Sequence, residues 1–170
     1  MHVPSERASE LGLAEEGRKA VVDELSKLLA DTAVLTLKTQ NYHWNVTGWL
    51  FYSLHKLTEQ QYEEQAEAMD TIAERIRALG GHAPATYIAF NRMAAITEDE
   101  TIPPAEEMVN QLLQDHDTLI RNARRSGKIA EEHDDQGSQD LLAERMTAHE
   151  KHAWMLRSLL DGNGDRRARG

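Results

Sequence analysis

The sequence predicts an all-α fold: four long helices in two pairs, joined by a long central crossover that carries a short helix of its own. Three observations predict it. All four prolines fall outside the long stretches of helical apolar spacing. Ala, Leu, Glu, Gln and Arg, all strong helix formers, are abundant in those stretches. No stretch carries the period-two alternation of a half-buried strand.

The first helix is expected from about Glu15 to Trp44, with Val21, Leu25, Leu28, Leu29, Val34 and Leu37 inward. The second begins after Val46-Thr47-Gly48 and runs to Leu79, where Gly80-Gly81 stop it because glycine accepts positive φ. From His82 to Pro104 the chain reads as irregular, with Asn91 to Ile96 as a short helix inside it. A third helix from about Ala105 to Ile129 and a fourth from about Ser138 to Leu160 follow, with Gly137 as the break between them. Two helix pairs and one long connection describe a ferritin-like four-helix bundle over residues 15–161, with tails at 1–14 and 162–170.

A chain of 170 residues suits one compact domain with a real core. There is no cysteine, which excludes disulfide and thiolate chemistry and fits a reducing compartment. The stretch MHVPSERASELG has no basic region followed by an apolar one, and no apolar run approaches the roughly 20 residues that cross a bilayer. The expectation is a cytoplasmic protein with no membrane partner. A net charge of −10 disfavours nonspecific attraction to phosphate backbones and favours cations, so metal ions are natural partners.

The candidate site lies on the second helix. At 100° per residue, His55, Glu59, Asp70 and Glu74 all fall within about 100° of one another, on one face. Yet 15 residues separate His55 from Asp70 and Glu59 from Glu74, roughly 22 Å along the axis. Ligand bonds of about 2 Å cannot bridge that. The four residues are nevertheless mirrored about the point between Glu64 and Gln65. An antiparallel copy of the helix would set His55 against Glu74 and Glu59 against Asp70, giving two equivalent sites per isologous dimer. His43, at the end of the first helix, could complete each site. Taken singly, the pairs have the spacing of surface residues with Arg75 and Arg77 as salt-bridge partners; the joint geometry carries the case. None of the eight histidines has Glu three residues before it, so the Glu-x-x-His motif of an intrachain di-iron bundle is missing and the subunit interface is left.

HWNVTG (43–48), F51xxLH55xxxE59, D70xxAER75, LGG (79–81) and HEKHAWMLR (149–157) together resemble the mini-ferritins called DNA-binding proteins from starved cells, over most of the chain from about 20 to 161. The resemblance implies a hollow twelve-subunit shell, built from two-fold dimers, that oxidises Fe(II), preferably with hydrogen peroxide, and stores the ferric product. It maps the ferroxidase ligands onto His43, His55 and Glu59 of one chain and Asp70 and Glu74 of the other. The commoner family residue at position 59 is Asp; Glu59 adds a methylene. Imidazole and carboxylate ligands suit Fe(II), and zinc would bind the same set without redox activity. Trp44, beside His43, is expected either near the centre or as core filler.

The acidic run Glu131, Glu132, Asp134, Asp135, followed by Asp140 and Glu144, stands at the turn into the last helix. The resemblance implies a three-fold iron pore there, with Asp140 in the pore position and Asp135 and Glu144 as further candidates; a solvated, capping turn is the alternative. His149 and His152 are turn-spaced but expected to pack, and His116 has no convergent partner. Family members commonly bind DNA through lysine-rich tails. Here the N-terminal tail has no lysine before Lys19, and the C-terminal tail offers only Arg166, Arg167 and Arg169, so DNA binding is expected to be weak or absent. A nucleoid-compacting protein with secondary iron binding is the competing reading.

Overall fold

A computed structural model describes residues 11–161. The expectations for the two tails, including Arg166, Arg167 and Arg169, fall outside the described residues or at their edge. The described residues form five helices and no strand: α1 (Glu15–Asn45), α2 (Phe51–Ala78), α3 (Tyr87–Met93), α4 (Ala105–Glu132) and α5 (Gln136–Asp161). α1 packs chiefly on α2 and α4 on α5; α1 and α4 join the pairs, and α3 lies on α1. The core is the aliphatic interior of this bundle, with Leu25, Leu35, Leu54, Ile72, Ile76, Leu112, Leu119 and Leu156 at its centre. Three buried threonines on α1 are tolerated there because each hydroxyl donates one turn back: Thr32 to Leu28 O, Thr36 to Thr32 O and Thr39 to Leu35 O.

The helix ends follow local chemistry. α2 closes in a Schellman arrangement, with Gly80 at φ 87°, its N–H donating to Arg77 O and the Gly81 N–H to Ile76 O. The same arrangement ends α4, but Asp134 takes the positive φ, at 56°, and the Asp135 N–H reaches Ala130 O. The break expected at Gly137 therefore lies three residues earlier. Asp135 caps α5 by accepting from the Ser138 N–H at 3.0 Å and the Ser138 hydroxyl at 2.7 Å. Gly137 sits in the first turn of α5, where a Cβ would come within 3.0 Å of the Arg75 guanidinium carbon.

Two further expectations are corrected. The short helix is Tyr87–Met93, not 91–96, because the Thr86 side chain caps it by accepting from the Ala89 N–H and Ala94 is already extended. Leu37 is 39 % exposed; α3 and the crossover leave it at the rim of a 560 Å³ cavity instead of covering it.

α1 fastens the crossover through a ladder of polar side chains. Asp31 accepts from the backbone N–H of Ala95 (2.6 Å) and Ile96 (3.1 Å) and from Asn122. Lys38 donates to Thr97 O and pairs with the largely buried Asp115, Asn41 donates to Asp99 O, and the Tyr42 hydroxyl meets the Asp99 carboxylate. Burial pushes the Asp31 carboxyl above its ordinary range, opposed by those two backbone amides.

His116 does have partners, which its position in the sequence did not disclose. Its Nδ1 lies 2.9 Å from His149 Nδ1, and the rings of His116, His149 and His152 stand with centroids 5.1–6.3 Å apart between α4 and α5. On α2, Glu64 takes Arg145 at 2.5 and 3.0 Å and His152 Nε2 at 3.2 Å. Burial drives His116 well below the usual imidazole range and His149 down to about 3, with the neighbouring histidines and Arg145 adding to it.

Removing the Asp31 carboxylate (Asp31→Ala) leaves two backbone donors of the crossover without their acceptor and is expected to lower unfolding free energy by about 2–3 kcal/mol in parallel denaturant titrations; an unchanged midpoint would contradict the anchoring role. The buried imidazoles set an acid limit. Their folded pKa values are depressed, so their contribution is complete above about 6.5 and is lost as the unfolded chain takes up protons below that. Stability should fall by about 1–2 kcal/mol per histidine between pH 7 and 5, before the carboxyls of Glu64 and Asp99, both held down to about 2, enter the titration. In His116→Phe/His149→Phe the curve over that interval should flatten; parallel curves would rule the pair out.

Candidate metal centre

The last turn of α1 and the first two turns of α2 bring His43, His55 and Glu59 together. A short connection, from Val46 to Leu50, folds α2 back on α1 with Gly48 at φ 85°. The two imidazoles then stack at 3.8 Å between centroids and 14° between planes. Each ring reaches the other residue's backbone: His43 Nδ1 lies 2.8 Å from His55 O, and His55 Nδ1 lies 2.9 Å from His43 O. A carbonyl has no proton to give, so both Nδ1 atoms carry hydrogen and donate. That fixes the tautomer and leaves both Nε2 lone pairs for a cation, the role an outer hydrogen bond plays for a ligating histidine. Thr58, donating to Leu54 O, and the edge of Tyr62 pack against His43, while Phe51 stacks on His55.

Glu59 lies one turn beyond His55, and its carboxylate accepts from Lys56 at 2.7 Å. That hydrogen bond holds its carboxyl below the ordinary range. Asp70 and Glu74 are exposed on the far half of α2, about 22 Å away at 1.5 Å per residue. The chain thus brings three of the five candidate ligands together and holds the other two apart. Among the described residues no three His, Cys, Asp or Glu side chains are already posed around one point for a metal ion. Of the two surface partners that the alternative offers these carboxylates, Arg75 is engaged elsewhere, pairing with Asp135 and donating to Ser138 Oγ; Arg77 donates to Gly81 O.

The other candidates separate clearly. Trp44 is 65 % exposed, which excludes the core-filler alternative, and lines a 310 Å³ cavity with Asn41 and Glu98 to Glu100. Asp140 and Glu144 are exposed on α5, with Gln136 donating to Asp140. Asp135 departs from the expectation: it is 2 % exposed and engaged by Arg75, Ser138 and the start of α5, so its charge is spent inside the fold and is not available to a solvent-lined pore. No helix among the described residues is long and apolar enough to cross a membrane.

Comparison with known proteins agrees with this architecture. The model of the ferritin-like domain family matches residues 22–163. A low temperature-induced protein of Nostoc sp., itself uncharacterized, is 45% identical over 157 residues, covering 89% of this chain and 86% of the relative. DNA protection during starvation protein 2 of Bacillus anthracis is 39% identical over 143 residues, covering 84% and 98%. Among solved structures, a Dps protein of Vibrio cholerae, described as a member of a broad superfamily of ferritin-like diiron-carboxylate proteins, superposes with a TM-score of 0.85 at 27% identity, covering 91% of this chain and 98% of that one. With the matched domain spanning α1 to α5 and relatives of this identity along nearly their whole length, the chain belongs to the Dps family of ferritin-like proteins.

Proposed function

We propose that the protein oxidises Fe(II) at centres shared across a two-fold dimer, preferably with hydrogen peroxide, and stores the ferric product inside a twelve-subunit shell, limiting oxidative damage in the cytoplasm. The observation that carries this reading is the pair of reciprocal Nδ1–carbonyl hydrogen bonds, which orients His43 and His55 and leaves their Nε2 atoms outside that exchange. The mirrored placement of Asp70 and Glu74 on the same helix supplies the rest of the site from a second subunit. The superfamily description of the Vibrio cholerae structure, diiron-carboxylate, points to the same chemistry.

Iron is the substrate. Two Fe(II) ions held about 3.5–4 Å apart each give one electron to peroxide; the O–O bond breaks, two protons are taken up, and two waters leave with no hydroxyl radical released. On binding iron, Glu59 exchanges the Lys56 ammonium for the cation. Zinc fits the same donors and would block turnover. The acidic Asp140 and Glu144 are placed to line a cation path into the shell. Compaction of DNA is the weaker reading. The relative from Bacillus anthracis is named for DNA protection, but a net charge of −10 per chain opposes a polyanion.

Subunits carrying His43→Ala/His55→Ala, mixed with an equal amount of subunits carrying Asp70→Ala/Glu74→Ala, should recover about a quarter of wild-type ferroxidase activity, because random pairing leaves that share of sites intact. No recovery in mixed dimers verified by mass spectrometry would count against shared sites. Asp140→Asn should slow peroxide-driven iron oxidation several-fold at low Fe(II) yet approach wild type at saturating Fe(II), since it weakens attraction without touching the centre. An unchanged low-iron rate removes Asp140 from the path.

A further inference from the structure

The second half of α4 departs from the acidic character of the chain. Between Thr118 and Ala130 stand Arg121, Arg124, Arg125 and Lys128 and no acidic residue, in a chain whose net charge is −10. Their spacing sets all four within about 100° of one another, over roughly 10 Å of helix, and all four are exposed. Little within the fold answers that charge. Arg121 donates to the Thr118 hydroxyl, and Lys128 makes no ion pair among the described residues. Arg125 stands 3.7 Å from Glu24, whose carboxylate is already taken by Lys27 at 2.6 Å and by the Ser126 hydroxyl at 2.9 Å. Arg124 meets Glu150 at 3.2 Å, but both side chains are more than half exposed and such a pair contributes little in water.

An exposed aromatic side chain lies beside this basic stripe. The pairs Arg124–Glu150 and Asp117–Arg157 set α4 and α5 in antiparallel register. Trp154 stands on α5 between Glu150 and Arg157, one turn from each, which puts it level with Ile120 and Arg121. It is 62 % exposed. We propose that this surface takes a single-stranded nucleic acid, its phosphates following Arg121, Arg124, Arg125 and Lys128 and one unpaired base stacked on Trp154. A basic track beside an aromatic face binds single strands without sequence preference, because every base has a face to stack. A duplex fits less well. Its bases are hidden in the stack, and its second strand doubles the phosphate charge brought toward Asp117, Glu131 and Glu132, which bound the stripe. A single strand can be confined to the stripe, where about two or three phosphates meet it at roughly 3.4 Å or more per residue. Repulsion from the rest of the chain is screened over about 8 Å at physiological ionic strength, so the local contact sets the sign. The inference concerns neither duplex compaction nor the C-terminal arginines, and it does not depend on the iron chemistry proposed above.

The test titrates the full chain, its assembly state fixed by light scattering, into a fluorescein-labelled oligothymidine of about 20 nucleotides and into a duplex of the same length, with anisotropy read between about 20 and 150 mM salt. At the lowest salt the single strand should bind about tenfold more tightly than the duplex, with a log–log salt slope near about −2. Arg121→Gln/Arg124→Gln/Arg125→Gln/Lys128→Gln should weaken single-strand binding by about tenfold or more and flatten that slope. Arg124→Gln/Lys128→Gln, a smaller change, is the second variant should the fourfold one fail to assemble; it should lower affinity by several-fold. Trp154→Ala should weaken the single strand by about tenfold and leave the duplex unchanged. Arg166→Gln/Arg167→Gln/Arg169→Gln should retain most of the binding. Absence of binding at the lowest salt, equal affinity for the duplex, affinity undiminished in the assembled stripe variants or in Trp154→Ala, or loss of binding in the tail variant would overturn the proposal. So would self-association without nucleic acid that the stripe substitutions abolish, which would assign the face to a second copy of the chain.

Discussion

The reciprocal exchange between His43 and His55, each ring donating to the other's backbone, is the contact on which the rest of the half-site depends. It works at several levels at once. The carbonyl of His43 belongs to the last turn of α1, where no intrahelical amide remains to meet it, so the His55 ring satisfies a group the helix end would otherwise leave open. The exchange fixes how α2 leaves α1 across the short connection, and with that the direction in which the whole stripe of Glu59, Asp70 and Glu74 points. It also places the hydrogen of each ring's Nδ1 before any ion arrives. Imidazoles held in this way would spend little of a cation's binding energy on reorientation.

The same fold separates its polar groups by task. Those that hold the crossover, Asp31, Lys38, Asn41 and Tyr42, lie along α1 and meet backbone or carboxylate partners directly. Those that cap the α4–α5 turn, Asp135 with Ser138 and Arg75, are likewise satisfied. Against this background the incompletely bonded histidines and glutamines between α2, α4 and α5 stand apart, since among the described residues the other buried side-chain atoms without a hydrogen-bond partner are Asp115 Oδ2, which Lys38 pairs, and Arg145 Nε. Asp70 and Glu74 differ again: they are exposed and ionisable, the condition expected of groups that await a cation and a second subunit.

The layout of the candidate site was legible in sequence because α2 is one uninterrupted helix. With a fixed 100° and 1.5 Å per residue, numbering alone places His55, Glu59, Asp70 and Glu74 on one face and measures how far apart they lie. His43 could be assigned to the same place because the connection to α2 is too short to carry it elsewhere. What escaped depends on contacts between distant segments. His116 is 33 positions from His149, and no periodicity links residues on different helices. Asp135 reads as one more charge in an acidic turn until Arg75, 60 positions away, is seen to engage it. The α4–α5 break was placed at Gly137 because glycine is the usual left-handed residue; Asp134 took that conformation instead, which its short side chain tolerates. The short helix shifted for a local reason, the Thr86 cap, which the apolar pattern of a seven-residue segment is too brief to override.

The central claim is that one metal centre draws its ligands from two copies of this chain. Anomalous diffraction at the iron edge, from crystals soaked anaerobically in Fe(II), tests it most directly. The account predicts iron within bonding distance of His43, His55 and Glu59 of one subunit and of Asp70 and Glu74 of another. Iron bound wholly by residues of a single subunit, with the stripe on α2 left empty, would contradict it.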